Sequence, residues 1–159
     1  MRESAGREAP TTGYLIWRVL LKWRASVDRA LAPLGLTHAQ YSLLASLMGL
    51  QLAGERPSQR RLADFTGLEP LYVSKLARAL ESAGLIERAG DPTDTRAVQL
   101  SLTDRGRQVT HQAIGVVHRL LDQLLAPLGG QHSRRAQAFV RELSTLLAAP
   151  LDVSTEEEP

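Results

Sequence analysis

One segment constrains this chain more than any other: Ser58-Gln-Arg-Arg-Leu-Ala-Asp-Phe-Thr-Gly-Leu-Glu-Pro-Leu-Tyr-Val-Ser-Lys-Leu-Ala-Arg-Ala-Leu-Glu-Ser-Ala-Gly-Leu-Ile-Glu-Arg88. A short helical pattern stops at Thr66-Gly67, and a longer one restarts near Glu69. Two helices joined by so tight a break make a helix-turn-helix, whose second helix stands out from the domain and can enter a DNA major groove. The stretch that follows, Asp91-Pro-Thr-Asp-Thr-Arg-Ala-Val-Gln-Leu-Ser-Leu102, alternates apolar and polar residues after a charged turn, as a strand does. A helix-turn-helix followed by a charged hairpin predicts a winged helix.

The rest of the chain is read around that segment. With 159 residues there is room for one domain, or for a DNA-binding unit with a helical accessory part. No apolar run is long enough to span a bilayer. The N-terminus lacks the apolar stretch of a signal peptide, so a cytoplasmic protein is expected. There is no cysteine, which excludes disulfides, thiolate zinc sites and thiol switches. The formal charge of +2 includes four carboxylates in the last eight residues (Asp152, Glu156, Glu157 and Glu158), so the remainder carries +6.

Periodicity and caps predict a fold that is mainly α with a small β-wing. Ile16, Val19, Leu20, Trp23, Val27 and Leu31 recur at three- and four-residue steps, giving a helix from Gly13 to about Ala32 with one apolar face. Thr37-His-Ala-Gln40 has capping-box spacing and starts a second helix, to about Leu50. Ser58 caps a short helix to about Phe65. Pro70 suits the first turn of the next helix, and Gly84 suits the left-handed position past its end. Strands are expected at Leu85 to Ala89 and Arg96 to Leu102. Thr103 then caps a long helix to about Ala126, and a last helix runs from Ser133 to Ala148. The expected organisation is a disordered arm over residues 1–11, a helical dimerisation region over 12–53 and 103–149 that includes the second helix, a winged helix-turn-helix lobe over 54–102, and an acidic disordered tail over 150–159.

On a helical wheel Val73, Leu76, Ala77 and Leu80 face the domain. Leu71, Ser74, Lys75, Arg78 and Ser82 face away, with Tyr72 at the edge. Lys75 and Arg78 can donate to guanine edges or phosphates, and Ser74 can donate or accept. Arg88, Thr93, Thr95 and Arg96 belong to the hairpin, where an arginine at the tip can enter a narrowed minor groove. Asp94 either holds the Arg96 guanidinium in a fixed pose or, with Asp91, satisfies amides of the turn. Gln59, Arg60 and Arg61 open the short helix, where they are either phosphate contacts or plain surface charge.

Two stretches carry a family resemblance. Leu34-Gly-Leu-Thr-His-Ala-Gln-Tyr-Ser-Leu-Leu44 resembles the second-helix signature of MarR-family transcriptional regulators. Asp91-Pro-Thr-Asp-Thr-Arg-Ala-Val-Gln-Leu-Ser-Leu-Thr-Asp-Arg-Gly106 resembles that family's wing and the start of its fifth helix. The match runs from about Gly13 to Ala148. The resemblance implies a homodimer built on the first, fifth and sixth helices, which presents two winged helices to a pseudo-palindromic operator. It also implies repression relieved by a small aromatic or anionic effector, bound between the dimer part and the DNA-binding lobe. Asp94 and Arg96 would be the wing pair, and Ser74 and Lys75 match a family Ser/Thr followed by Arg. The chain departs from the pattern at Arg78, where an acidic residue is common, and at Ala79, where a basic one is common.

For the effector pocket, Tyr14, Trp17 and Arg18 on the first helix, His38 and Tyr41 on the second, and His111 on the fifth offer aromatic walls with polar groups. Trp17 and Tyr41 serve equally as helix-packing residues. The histidines are too scattered for a metal site, and no cofactor is expected. Nothing resembles a nucleophile motif or a glycine-rich phosphate loop, which argues against an enzyme. The competing reading is a winged helix used for protein contacts, or a constitutive DNA binder without a ligand response.

Overall fold

The computed structural model describes residues 9–151. Most of the expected arm and tail lie outside them. The described elements are α1 (Thr12–Leu31), α2 (His38–Leu52), α3 (Gln59–Thr66), α4 (Pro70–Ser82), β1 (Ile86–Gly90), β2 (Val98–Leu102), α5 (Asp104–Leu125) and α6 (Arg134–Ala148). Single 3-10 turns at Ala32–Leu34 and Ala126–Leu128 follow α1 and α5. The chain divides into two compact units, with the boundary between Val117 and His118, inside α5.

In the first unit α2 is the central post. Both arms of its capping box are present: Gln40 N–H donates to Thr37 Oγ1 (3.2 Å) and Thr37 N–H to Gln40 Oε1 (2.9 Å). A third bond comes from α1, where Asp28 Oδ1 accepts from His38 N–H at 2.7 Å. Leu43, Leu44, Leu47, Met48 and Leu50 are buried on more than one side of α2. The helix packs against α1, α3, α4 and β2. It is therefore the central helix of the first unit.

The helix-turn-helix forms as the local signals require. Ser58 Oγ accepts from Arg61 N–H at 3.1 Å and caps α3. Gly67, at φ 69°, takes the left-handed conformation that a side chain would oppose. Val73, Leu76, Ala77 and Leu80 of α4 are all buried. The wing is an antiparallel pair with Ile86 opposite Leu102 and Arg88 opposite Leu100. Pro57 C=O accepts from Leu100 N–H at 3.0 Å, and a bridge pairs Ser58 with Gln99, so the linker before α3 lines the outer side of β2. The second strand begins at Val98 rather than Arg96. The reason is a turn: Ala97 N–H donates to Asp94 C=O and Asp91 N–H to Ala97 C=O, both at 3.0 Å, which holds Arg96 in the loop.

The root of the wing meets α5 at a very short distance. Thr103 Oγ1 accepts from Gly106 N–H (2.9 Å) and donates to Gly84 C=O (2.7 Å). Thr103 N–H donates to Leu85 C=O at 3.1 Å. A Cβ on Gly106 would sit 1.8 Å from that same Leu85 carbonyl oxygen. The Leu-Thr-x-x-Gly pattern thus encodes a cap and a contact that only glycine permits.

In the second unit, Gln131 Nε2 donates to Asp122 Oδ1 (2.6 Å) and His118 C=O (3.3 Å), bracing the turn after α5. Ser133 Oγ accepts from Ala136 N–H at 3.0 Å and starts α6. Ala136 is the buried residue of that helix.

Candidate nucleic-acid interface

The outer face of α4 carries Leu71, Tyr72, Ser74, Lys75 and Arg78. Leu71 is 87% exposed, Lys75 and Arg78 are exposed, and Ser74 is half-buried. Among the described residues neither Lys75 nor Arg78 has a carboxylate within 4.0 Å. The same holds for Arg96 on the wing. All three cations are exposed and take part in none of the ion pairs among the described residues.

The candidates at the start of α3 are engaged within the protein. Arg60 Nε pairs with Asp64 at 3.3 Å. Arg61 forks onto both oxygens of Glu55, at 3.1 and 3.3 Å, and its guanidinium lies 5.5 Å from the Phe65 ring centre. Gln59 Oε1 accepts from Arg88 Nε at 3.2 Å, and Arg88 Nη1 donates to Glu81 Oε2 at 3.3 Å. Exposed ion pairs add little to stability because water and salt screen them. They nevertheless set a competitor that any phosphate must displace.

The wing turn is organised by carboxylates. Asp91 Oδ1 accepts from Thr93 N–H (2.7 Å), Thr93 Oγ1 (2.6 Å) and Asp94 N–H (3.2 Å), while Asp91 Oδ2 accepts from Gln99 Nε2 (2.9 Å). The Thr93 bonds, side chain first, hold the Asp91 carboxyl below its usual pKa. Asp94 corrects one expectation. Its Oδ1 accepts from the Arg96 backbone N–H at 2.9 Å, not from the guanidinium. An aspartate two residues upstream fits an amide in a tight turn better than it fits the end of a long side chain. Asp94 orders the loop that presents Arg96, and the Arg96 and Thr95 side chains stay exposed.

A cavity of about 560 Å³ lies within the first unit. Arg24 and Asp28 of α1, His38 and Ser42 of α2, Thr66 and Leu68 at the helix-turn-helix break, and Tyr72 of α4 are among its walls. Of the six residues expected to form a pocket, only His38 lines it. Tyr14, Trp17 and Arg18 cluster on the exposed face of α1: Arg18 Nη1 donates to the Tyr14 hydroxyl at 3.2 Å, and the Tyr14 and Trp17 rings are 6.2 Å apart. Tyr41 is half-buried, which raises its hydroxyl pKa, and His111 is exposed on α5. Tyr72, expected at the edge of the DNA face, belongs to this cavity as well. Burial lowers the His38 pKa; Asp28 opposes that shift and Arg24 adds to it. The ring meets Trp23 edge-on, with centres 6.3 Å apart. Sequence reasoning missed Arg24, Asp28, Thr66 and Leu68, because residues so far apart in the chain meet only when α1 and the helix-turn-helix both pack on α2.

Comparison with known proteins decides the family. A family model described as "MarR family" matches residues 34–97, from the turn before α2 to the wing turn ahead of β2. An HTH-type transcriptional regulator of Bacillus subtilis, YdcH, is 38% identical over 68% of this chain and 74% of its own length. An HTH-type transcriptional repressor of Mycobacterium tuberculosis, Rv2887, is 30% identical over 84% of this chain and 93% of its own. This chain belongs to the MarR family. It is a MarR-type transcriptional regulator, not an enzyme. The solved structure of the transcriptional repressor CouR bound to a 23-mer DNA duplex has the same fold, with a TM-score of 0.75 and 29% identity over 86% of this chain and 92% of that one. The segment matched by the MarR model holds the outer face of α4, the wing as far as Ala97, and the α2 and α4 walls of the cavity.

Proposed function

We propose that this MarR-type protein is a sequence-specific repressor, working in the cytoplasm as a homodimer on a pseudo-palindromic operator, with DNA binding relieved by a small effector. The observation that carries the DNA reading is the set of unpaired cations: Lys75 and Arg78 on α4, and Arg96 on the wing. In this reading α4 lies in the major groove, where Ser74, Lys75 and Arg78 meet base edges or phosphates. Arg96 reaches the adjacent minor groove, whose negative potential favours a guanidinium. A winged helix used only for protein contacts has no need to keep these donors free. CouR bound to a DNA duplex supports the same reading.

Dimerisation rests on the exposed apolar side chains of α1 and α6, which a second copy would cover. Two such lobes would meet half-sites about 10 base pairs apart, one helical turn. For the effector, the cavity has polar groups on an apolar wall, as small-molecule sites do. Arg24 and neutral His38 suit an aromatic or anionic ligand. Because Thr66, Leu68 and Tyr72 share its walls, an occupant bears directly on how α4 is held.

The test is a salt-resolved DNA titration on sites selected from random sequence. Affinity for a selected site should fall steeply and linearly with the logarithm of salt concentration, since each neutralised phosphate releases counterions. Absence of any selected sequence would reject the proposal. Adding aromatic carboxylates should then release the DNA, and Arg24→Ala should abolish that release without weakening DNA binding.

A further inference from the structure

We infer that Arg88 is a strut that fixes the angle between the recognition helix and the wing, rather than a DNA contact. Arg88 lies on β1, and its side chain is only 22% exposed. Its Nε donates to Gln59 Oε1, on the first residue of α3, at 3.2 Å. Its Nη1 donates to Glu81 Oε2, in the last turn of α4, at 3.3 Å. One planar guanidinium therefore joins three elements, tying together α3 and β1, which both pack on α4. Arginine suits the task because its donors are held in a rigid fork. The Glu81 carboxylate also disfavours a phosphate at the same place, since like charges repel. Gln59 is spent on the same bond, so both residues leave the set of contacts that the sequence pointed to. The free cations Lys75, Arg78 and Arg96 stand on the two bodies that this strut aligns.

The inference rests on the DNA-binding reading, and it makes predictions opposite to those of direct contact. A phosphate-binding Arg88 would be hindered by Glu81, so Glu81→Ala would strengthen binding or leave it unchanged. Arg88→Ala would then lower the salt slope by about one unit. A strut gives the reverse. Glu81→Ala and Arg88→Ala should each weaken binding about five- to tenfold, leave the salt slope unchanged, and fail to add in the double variant, as partners in one contact do.

Positioning is separated from a loss of general stability by Arg96. In the wild-type background Arg96→Ala should cost about tenfold or more, within the range of a single specific DNA contact. In the Arg88→Ala background it should cost less than about twofold, because a wing no longer held in register gains little from its arginine. Arg88→Lys, which keeps the charge and the stem, should not restore affinity, since an ammonium cannot span both partners. Full additivity with Arg96→Ala, rescue by lysine, or tighter binding by Glu81→Ala would each overturn the strut. If the wild-type protein shows no salt-dependent DNA binding, the functional reading itself fails. Amide exchange of the free protein then decides: faster exchange in β1 and the end of α4 on Glu81→Ala upholds the strut, and unchanged exchange refutes it.

Discussion

The winged-helix lobe and the terminal helices use the same amphipathic code and end in opposite states. In α2 and α4, nine apolar side chains are buried by their neighbours within the chain. In α6 only Ala136 is buried, while Phe139, Val140, Leu143, Leu146 and Leu147 stand between 41% and 89% exposed. The first half of α1 is like α6, with Ile16, Trp17 and Leu20 more than half exposed. Apolar burial is worth about 25 cal/mol per Å². The lobe draws that stabilisation from its own residues, whereas α6 and the first half of α1 leave much of theirs uncovered within one chain. A stripe at helical spacing therefore does not tell whether its face is covered within the same chain.

The sharpest way to break this contrast is at the root of the wing. Gly106→Ala forces a Cβ into the Leu85 carbonyl and should cost about 3 kcal/mol or more, beyond ordinary overpacking because backbone has to move. Denaturant unfolding would check it, and the loss should not depend on protein concentration. Replacing Phe139 and Leu143 together by aspartate should do the converse. The lobe should keep its fold, while sedimentation shifts from dimer to monomer and the melting temperature loses its dependence on concentration.

Smaller effects sharpen the comparison. Arg96→Ala should weaken operator binding by about 1–3 kcal/mol, yet change unfolding free energy by less than about 0.5 kcal/mol, as exposed substitutions do. The smallest effect expected is that of His38. Its folded pKa lies below the ordinary 6.5 because burial disfavours the cation. The unfolded chain then binds the proton more readily, so stability contributed by neutral His38 is lost as pH falls through 6.5 toward the folded value. Stability measured against pH should show this slope in the wild type and a flatter one in His38→Asn. An identical slope in both would remove His38 from the lobe's acid response.

Where a structural signal is local, the sequence carried it. Thr37 with Gln40, Ser58 and Ser133 each cap the helix they precede, and Gly67 and Gly84 terminate theirs in the left-handed region. Those devices act within four residues, so spacing alone reveals them. The same holds for the buried face of α4, whose Val73, Leu76, Ala77 and Leu80 were placed by period, while Ser74 on the other side is half-buried. Partners far apart in sequence were not legible. Asp28 reaches across ten positions to the α2 amide, and Arg88 crosses twenty-nine to Gln59. The walls of the cavity were hidden for the same reason, since Arg24, His38 and Thr66 lie on separate elements, while Tyr14, Trp17 and Arg18 lie on the exposed half of α1. The role of Asp94 turned on geometry finer than spacing, since an amide and a guanidinium were both within its reach.

The approach of Gly106 to Leu85 has a consequence for how this protein can vary. Every missense change at a glycine codon adds a side chain, so the position has no neighbouring solution in sequence space. The exposed Arg105 and Arg107 beside it have many. A saturation library should return a single accepted letter at 106 between two permissive columns. That letter would persist whatever operator or effector the library were selected for, because it answers to a carbonyl oxygen and to no ligand.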